Sequence, residues 1–375
     1  MKNLINYQMS PLELIITMTS FIFGVGILIL PRGLAQDVGT TDGWLTILIS
    51  GVISMIIVYL FVRVQVHFPG QNYFEFINFG KMKKWPSMFL SLLFLLYFFI
   101  LIPFQVRIFG VAIKMYLLDQ TPLEVIIGSM LVVVFYAVSK GVQGIVHINL
   151  MYLPIILFVL LLGFVLNVGE LNLSTFLPLF SEGIIPVIKG IPVTMYSFIG
   201  VFCLLFLMGS LKPLPLRAWQ INIGMLIVIV IHLLYFLVSV AIFSLEALKI
   251  ITFPTIELFK EIEVPGGFFE RIESVFITMW VMSIFTTLTL EVIMAQLLIK
   301  GVLFKKKKNL WVSGVIAFLI YMMAFIPSSI VELAKMGEWS GYIGSIATGF
   351  ALLFGFMAVW HKNKKQTNRS SSAGM

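Results

Sequence analysis

Cysteine, histidine and catalytic motifs are scarce in this chain of 375 residues, and each scarcity excludes a class of site. Cys203 is the only cysteine, which rules out an intramolecular disulfide and a cysteine metal cluster. The four histidines stand far apart in the sequence, at His67, His147, His232 and His361, so we expect no metal site. The sequence also has no P-loop and no signature of a serine hydrolase or zinc protease. We therefore expect neither an enzyme nor a cofactor.

Charged residues are scarce too. They make up 11% of the chain, against about 25% in soluble domains, while hydrophobic residues make up 60%. Together with a mean hydropathy of +1.05, this composition excludes a soluble globular protein and predicts an all-α polytopic membrane protein. The net charge of +8 is spread over short loops, which favours contact with the lipid bilayer and argues against nucleic-acid binding.

Ten apolar segments fill the sequence, and each is about long enough to cross a bilayer as a helix. The fourth is short, and the third could run past residue 107. We expect one membrane domain over residues 1–360, followed by a basic disordered tail over residues 361–375 that is too polar to pack. By hydropathy the spans cover residues 12–30, 44–66, 86–107, 123–139, 145–166, 191–209, 217–243, 272–298, 310–331 and 340–360.

The basic residues predict the orientation. If the ten spans alternate, seventeen of the 25 lysines and arginines fall on the side of the N-terminus. Basic residues accumulate on the cytoplasmic face, so both termini are expected to be cytoplasmic. The seventeen are Lys2, Arg63, Lys81, Lys83, Lys84, Lys140, Lys212, Arg217, Lys300, Lys305, Lys306, Lys307, Lys308, Lys362, Lys364, Lys365 and Arg369.

The first span carries two glycines near its middle, in Gly24-Val25-Gly26-Ile27, and is closed by Pro31. Lipid offers a backbone no hydrogen-bond partners, so a weak point at this depth is tolerated only where the freed groups face protein, water or a ligand. Residues 24–27 are therefore the first candidate binding site. The amides of Gly24, Val25 and Gly26 are expected to hold an anionic group such as a carboxylate.

Ten spans divide into two sets of five, and an odd number of crossings makes the second set enter from the opposite face. That arithmetic predicts an inverted repeat, over about residues 10–168 and 183–360, with broken helices 1 and 6. The sixth span contains Ser197-Phe198-Ile199-Gly200, in which Gly200 lies 176 residues after Gly24. We expect Ser197, Phe198 and Gly200 to complete the site. The alternative is that these glycines only let helices pack closely.

Several separate motifs resemble the B subunits of bacterial spore germinant receptors, the GerAB-type family. The resemblance covers roughly residues 9–360 and implies the five-plus-five fold of the amino acid–polyamine–organocation superfamily. The motifs are Met9-Ser10-Pro11, Gly24 to Arg32 with Ala35-Gln36, Gly39 and Trp44, then Phe68-Pro69-Gly70-Gln71-Asn72 with Phe74-Glu75, and Phe269-Glu270-Arg271-Ile272-Glu273-Ser274 leading to Trp280.

What the resemblance implies is a role in germination. The chain would sense a small nutrient germinant, an amino acid or a similar molecule, in the spore inner membrane, together with an A subunit and a lipoprotein C subunit. The same fold serves transporters, so a proton- or sodium-coupled amino acid permease stays open as the alternative function.

Four polar residues inside the spans are candidates for a function. Glu291 lies well inside the eighth span, where a carboxylate usually faces a cavity or a partner, so it is a candidate for a polar or ion pathway. Thr287 lies one helical turn before it and could bind the ligand or bond back to its own helix. Tyr97 is mid-span, at a position that lines the site in this fold, or else packs in the core. His232 fits a satisfied interior histidine better than a switch.

Overall fold

The computed structural model describes residues 7–79, 84–178, 180–212, 217–262, 271–302 and 310–373, and these are almost entirely helical. Several positions used above lie outside the described residues. They are Lys2, Lys81, Lys83 and Lys305 to Lys308 of the charge count, Phe269 and Glu270 of the resemblance, and the last two residues of the tail.

The first half of the chain forms seven helices. α1 begins with a capping box, in which the Ser10 hydroxyl accepts from the Glu13 amide and the Glu13 carboxylate accepts from the Ser10 amide. Gly39, in the left-handed conformation at φ 70°, ends α2. The bounds are α1 Pro11–Ile22, α2 Gly26–Val38, α3 Gly43–Val66, α4 Tyr73–Phe76, α5 Trp85–Tyr116, α6 Leu123–Lys140 and α7 Val142–Leu166.

The second half follows the same order: a broken first span, a long helix, a short helix, another long helix and two further helices. The inverted relation between the halves stays a prediction. The elements are α8 Ile185–Lys189, α9 Ile191–Phe198, a 3₁₀ turn Ile199–Phe202, α10 Cys203–Leu207, a 3₁₀ turn Met208–Ser210, α11 Ala218–Leu248, α12 Pro254–Lys260, α13 Ile272–Val302, α14 Leu310–Ala324 and α15 Ile330–Ala373.

In the described part of the chain, eight helical segments are long and apolar enough to cross a membrane, and α1 with α2 forms a ninth candidate span bent by 49°. α14 contributes a shorter apolar helix. The protein is therefore an all-α integral membrane protein, and the count of ten spans stays a prediction.

Some predicted span ends differ from the observed helix ends. The first span was expected to end at residue 30 and the tenth to begin at residue 340, whereas α2 continues to Val38 and α15 begins at Ile330. The charged residues in these two stretches lower the hydropathy but do not interrupt the helices. The third and seventh spans also run further, to Tyr116 and Leu248, and the ninth ends earlier, at Ala324.

Pro31 does not end the first span as expected, and the reason lies in the backbone. A proline inside a helix leaves the carbonyl four residues earlier without its amide donor. That carbonyl belongs to Ile27, and the Thr255 hydroxyl donates to it at 2.6 Å. α12 thus replaces the missing hydrogen bond, and the helix continues through the proline.

The C-terminal segment also differs from the expectation, because α15 continues as helix to Ala373 where a disordered tail was predicted. Lysine side chains stabilise its first turn beyond residue 361. Lys362 donates to the His67 carbonyl and lies over the Phe68 ring, and Lys364 lies 5.2 Å from the centre of the Trp360 ring.

Both parts of the first span lie in the centre of the helix bundle. α1 packs against α7, α11 and α13, and α2 packs against α9, α11 and α12. Phe23 and Val25, between the two parts, are 1% and 2% exposed. The break is therefore surrounded by protein, as the physics of backbone groups in a membrane demands.

Candidate functional site

The first span loses its helix at residues 23–25, where the glycine pair predicted a weak point. Side chains from the second half of the chain bind the carbonyl groups at this break. Thr287 donates to the carbonyl of Phe21 at 3.3 Å, and the Trp280 indole donates to the carbonyl of Gly24 at 2.7 Å. These two carbonyl oxygens, the negative ends of their peptide dipoles, therefore already accept hydrogen bonds.

The amide groups at the same break, unlike its carbonyl groups, have no hydrogen-bond partners in the described structure. Within the described residues, the amides of Gly24 and Val25 have no hydrogen-bond acceptor. Those of Gly26 and Ile27 begin α2 and so have no partner inside their helix. The break thus offers unpaired donors at the positive end of a helix, while its acceptors are already bound. This arrangement favours an anionic group.

The sixth span is broken less severely. Instead of unwinding, it tightens into the 3₁₀ turn Ile199–Phe202 between α9 and α10. The two breaks touch: a Cβ atom on Gly26 would lie 3.0 Å from Cβ of Ser197, and one on Gly200 would lie 2.9 Å from Cγ1 of Ile22. Gly26 and Gly200 therefore also serve close packing, which was the alternative left open for Gly200.

A small cavity of about 30 Å³ lies between the two breaks. This volume holds one or two water molecules and is too small for an amino acid. It is lined by Phe21, Ile22, Gly24, Val25, Gly26, Tyr97, Leu101, Gln105, Tyr196, Ser197, Ile199, Gly200, Phe202 and Glu291. Seven of the ten predicted site residues are on that wall.

The other three lie just behind this wall. The carbonyl of Ile27 is bound by Thr255, and Thr287 contacts the first break through the carbonyl of Phe21. Phe198 packs edge-on against His232, whose other face stacks on Phe23, so this histidine lies between the two breaks. Its Nδ1 bonds the Val228 carbonyl at 2.9 Å, and its Nε2 has no partner in the described structure.

Glu291 is buried, at 1% exposed, and its carboxyl group faces the small cavity. The Gln105 amide donates to its Oε1 at 2.8 Å, while Oε2 has no partner among the described residues. Sequence analysis missed Gln105, although a glutamine two residues after Pro103 in an apolar helix is a detectable signal. Tyr97 lies beside this pair, with its ring packed 5.2 Å from that of Phe202.

A second cavity, of about 300 Å³, lies on the α2 side of the breaks. This is the lower end of the range for small-molecule sites. α2, α9 and the start of α15 form most of its wall, and Tyr196 and Ser197 line both cavities. Sequence analysis did not identify it, because its charged residues Arg32, Asp37 and Glu338 stand near predicted span ends, where charges are common.

The opposite side, toward the N-terminus, is closed. The amide of Met9 donates to the Ser210 carbonyl and the amide of Lys212 donates to the Met9 carbonyl, both at 2.9 Å. The Tyr7 hydroxyl donates to Glu13 at 2.7 Å, and this bond raises the pKa of Tyr7. Above this contact lie tilted and edge-on aromatic rings from Phe21, Tyr97, Phe94, Phe98, Phe202 and Phe206.

Residues 8–331 match the family described as spore germination proteins, Spore_permease. Among its relatives, spore germination protein YndE of Bacillus subtilis (strain 168) is 25% identical over 348 residues, which is 92% of this chain and 95% of the relative. Spore germination protein GerLB of Bacillus cereus is 28% identical over 333 residues, 88% of each chain.

Among solved structures, the fold is similar to that of a manganese transporter of Eremococcus coleocola, crystallised with an aromatic bis-isothiourea compound. The TM-score is 0.54 and the identity 14%, over 92% of this chain and 77% of the transporter. At this identity the likeness shows the fold alone. The chain thus has a transporter-like fold.

Proposed function

This chain belongs to the family of spore germination proteins of the GerAB type, and from that membership we propose that it is the B subunit of a spore germinant receptor. In this proposal it binds a small nutrient, an amino acid or a similar molecule, at the break of the first span. Binding then changes the packing of the two broken spans, and the change passes to partner subunits.

The observation that supports this site is the asymmetry of the break between donors and acceptors. Trp280 and Thr287 bind carbonyl groups there, so the field at the break comes from the unpaired amides of Gly24 to Ile27. A carboxylate placed against these amides would accept several hydrogen bonds in a site shielded from water. Gly24, Val25, Gly26, Ile27, Tyr97, Ser197, Phe198, Gly200 and Thr287 are the residues we propose to hold the ligand, with Glu291 in a polar pathway beside it.

The small cavity must enlarge before a nutrient fits. The small cavity, of about 30 Å³, adjoins the larger one, and Tyr196 and Ser197 line both. The Tyr196 ring packs edge-on against Phe104, 5.7 Å between centres, and lies over Gly341 of α15. A shift of α9 against α15 would therefore join the cavities and couple ligand binding to a movement of the sixth span.

We further propose that the chain acts in the spore inner membrane with A and C subunits and with both termini cytoplasmic. The basic residues support this orientation: Arg63, Lys140 and Lys362 lie at the ends of helices that face the same side as the N-terminus of α1. The larger cavity then opens away from the cytoplasm, toward the side from which a nutrient arrives.

A coupled amino acid permease is the second candidate function. The transporter-like fold and a central site that is closed on one side and adjoins a cavity on the other both fit it. Purified protein in proteoliposomes separates the two functions. A receptor binds a labelled amino acid without net flux, whereas a permease accumulates it under a proton or sodium gradient.

The site itself is tested with spores that carry Gly24→Ala in place of the wild-type chain. An added Cβ atom would lie 3.1 Å from both Cγ2 and Oγ1 of Thr287, the residue that donates to the Phe21 carbonyl, and would disturb the break, so we expect no response to any amino acid. Gly349→Ala in α15 is the matched control, since its Cβ would meet nothing within 4 Å. A normal response of Gly24→Ala spores at wild-type protein level would overturn the proposed site.

A further inference from the structure

The larger cavity contains charged groups that the rest of the protein leaves unused. Arg32 of α2 lines it and has neither an ion pair nor a hydrogen bond among the described residues. Asp37, one and a half turns further along α2, and Glu338 of α15 also line it, and they are close enough for their negative charges to repel. Neither carboxylate has a cationic partner in the described structure. Arg32 is half-buried, and Asp37 and Glu338 are exposed, so all three charged groups are open to a ligand that enters the cavity.

A fourth unpartnered group lies at the base of this cavity. The hydroxyl of Ser197 is buried, at 6% exposed for the whole residue, and its oxygen has no hydrogen-bond partner in the part of the chain that the structure describes. Ser197 lines both cavities, and its oxygen lies just beneath their surface. The remaining wall near it is apolar or aromatic, from Phe104, Ile108 and Phe253.

These groups match one class of molecule. A free α-amino acid carries a carboxylate, which an arginine fork binds well, and an ammonium group, which two carboxylates can hold between them. The volume of about 300 Å³ accommodates such a molecule with its side chain, in contrast to the 30 Å³ at the break.

We propose that the larger cavity is a separate binding site for zwitterionic amino acids, in which Arg32 binds the carboxylate and Asp37 with Glu338 binds the ammonium group. The ligand occupies this site first and passes Tyr196 and Ser197 to reach the break. This proposal rests on the proposed function, in that the chain binds an amino acid, but its three charged residues are not among those proposed for the break, and only Ser197 is shared.

The charges also predict which amino acids are accepted. The cavity carries one positive and two negative groups, so a second carboxylate on the ligand meets uncompensated repulsion. We expect neutral and basic amino acids to bind and the acidic ones, aspartate and glutamate, to be rejected.

The test measures direct binding of the twenty standard amino acids, each radiolabelled, to the full chain in lipid nanodiscs. Glu338→Gln keeps the side-chain size and removes a charge, and Arg32→Gln replaces the guanidinium group by a shorter, neutral and still polar side chain. Each is expected to weaken binding roughly ten- to hundredfold, the range for a lost hydrogen bond between charged groups. Lys335→Gln, on the same helix as Glu338 but outside the cavity wall, is the matched control.

The break variant Gly24→Ala distinguishes the two proposals. If the larger cavity binds independently, Gly24→Ala retains binding but its spores do not germinate. If Gly24→Ala abolishes binding while Arg32→Gln and Glu338→Gln leave it unchanged, the larger cavity is no binding site and the proposed function stands. If no amino acid binds the wild-type chain, both proposals fail. If glutamate binds as tightly as alanine, the expected rejection of acidic amino acids is wrong.

Discussion

The two sides of the first-span break differ in nearly every physical respect. On the side of α1, backbone hydrogen bonds join Met9 to Ser210 and Lys212, and packed aromatic rings fill the interior. On the side of α2, a cavity of about 300 Å³ carries three charged residues without ion-pair partners in the described chain. Packed aromatic rings exclude water and ligands while a charged cavity admits them, so we infer that the break is reached from the α2 side.

The two helices of the first span, α1 and α2, have different surroundings. α1 and α2 are both apolar, yet α1 is fixed by its capping box and by Met9, whereas α2 lines the cavity with Arg32, Gly33, Gln36 and Asp37. The part of the span that we propose to line the ligand's path and the part that closes the protein are therefore joined only through residues 23–25. A ligand bound there contacts both parts.

The largest effect is expected from Gly26→Ala, which alters the junction of the two sides. Its Cβ atom would lie 3.0 Å from Cβ of Ser197, closer than nearly all real contacts, and would push α9 away from α2. Overpacking of this kind costs about 1–3 kcal/mol. We expect loss of the germination response, measured as the fall in optical density of a spore suspension. Gly144→Ala is the control, since its Cβ would meet nothing within 4 Å, and equal responses of the two variants would contradict this role of Gly26.

The next largest effect concerns Glu291 and its bond to Gln105. Glu291→Leu leaves the Gln105 amide buried without a partner, which costs about 1–3 kcal/mol, and we expect the response to be lost. Glu291→Gln keeps the shape and tests the charge alone: a full response with unchanged pH dependence would exclude a proton relay. The exchange Gln105→Glu with Glu291→Gln restores an amide–carboxyl pair and is expected to recover most of the activity. If Glu291→Leu responds normally, the residue lies outside any functional path.

A smaller effect is expected from a change on the closed side, at Met9. Met9→Pro removes the amide that donates to the Ser210 carbonyl, a bond worth about 0.5–1.5 kcal/mol. Because this bond stabilises closure, its loss is expected to raise the rate of germination without nutrient roughly fivefold. Met9→Leu keeps the amide and the buried side-chain volume and serves as the control. Identical spontaneous rates in both variants would show that the backbone contact does not hold the closed side.

The smallest effect is expected for Gly200→Ala. Its Cβ atom would meet Cγ1 of Ile22 at 2.9 Å and Cδ1 of Phe21 at 3.1 Å, and its three nearest contacts are all side-chain atoms, whereas a Cβ on Gly26 would also lie 3.3 Å from the Cα atom of Ser197. We expect the germinant concentration required for half-maximal response to rise roughly threefold, with normal protein in the membrane. Loss of the protein from the membrane without a change in the sensitivity of what remains would make Gly200 a packing residue only.

Much of the fold could be predicted because the signals are local. Runs of apolar residues predict the spans, and the glycine pair predicts the break between Ile22 and Gly26. The ends of α2 and α15 could not be predicted from hydropathy, since Arg32, Asp37 and Glu338 face a cavity instead of marking the membrane surface.

The sequence predicted the residues of the candidate site but not the partners that bind them. Gly24, Gly26 and Glu291 are unusual for their positions in the sequence, so they could be identified. Their partners could not, because a contact between Trp280 and Gly24 joins residues 256 apart and Thr255 lies in a loop helix of seven residues. Only the tertiary packing shows that these side chains bind the carbonyls and leave the amides unpaired.

We infer that the break is reached from the α2 side alone. Single cysteines in a Cys203→Ala background test it directly: Ser345→Cys lines the larger cavity, and Ser20→Cys lies on the closed side, where Ser20 is 1% exposed. We predict that a membrane-impermeant maleimide labels Ser345→Cys in intact cells and labels Ser20→Cys neither before nor after permeabilisation. Labelling of Ser20→Cys, or labelling of Ser345→Cys only after permeabilisation, would contradict the account.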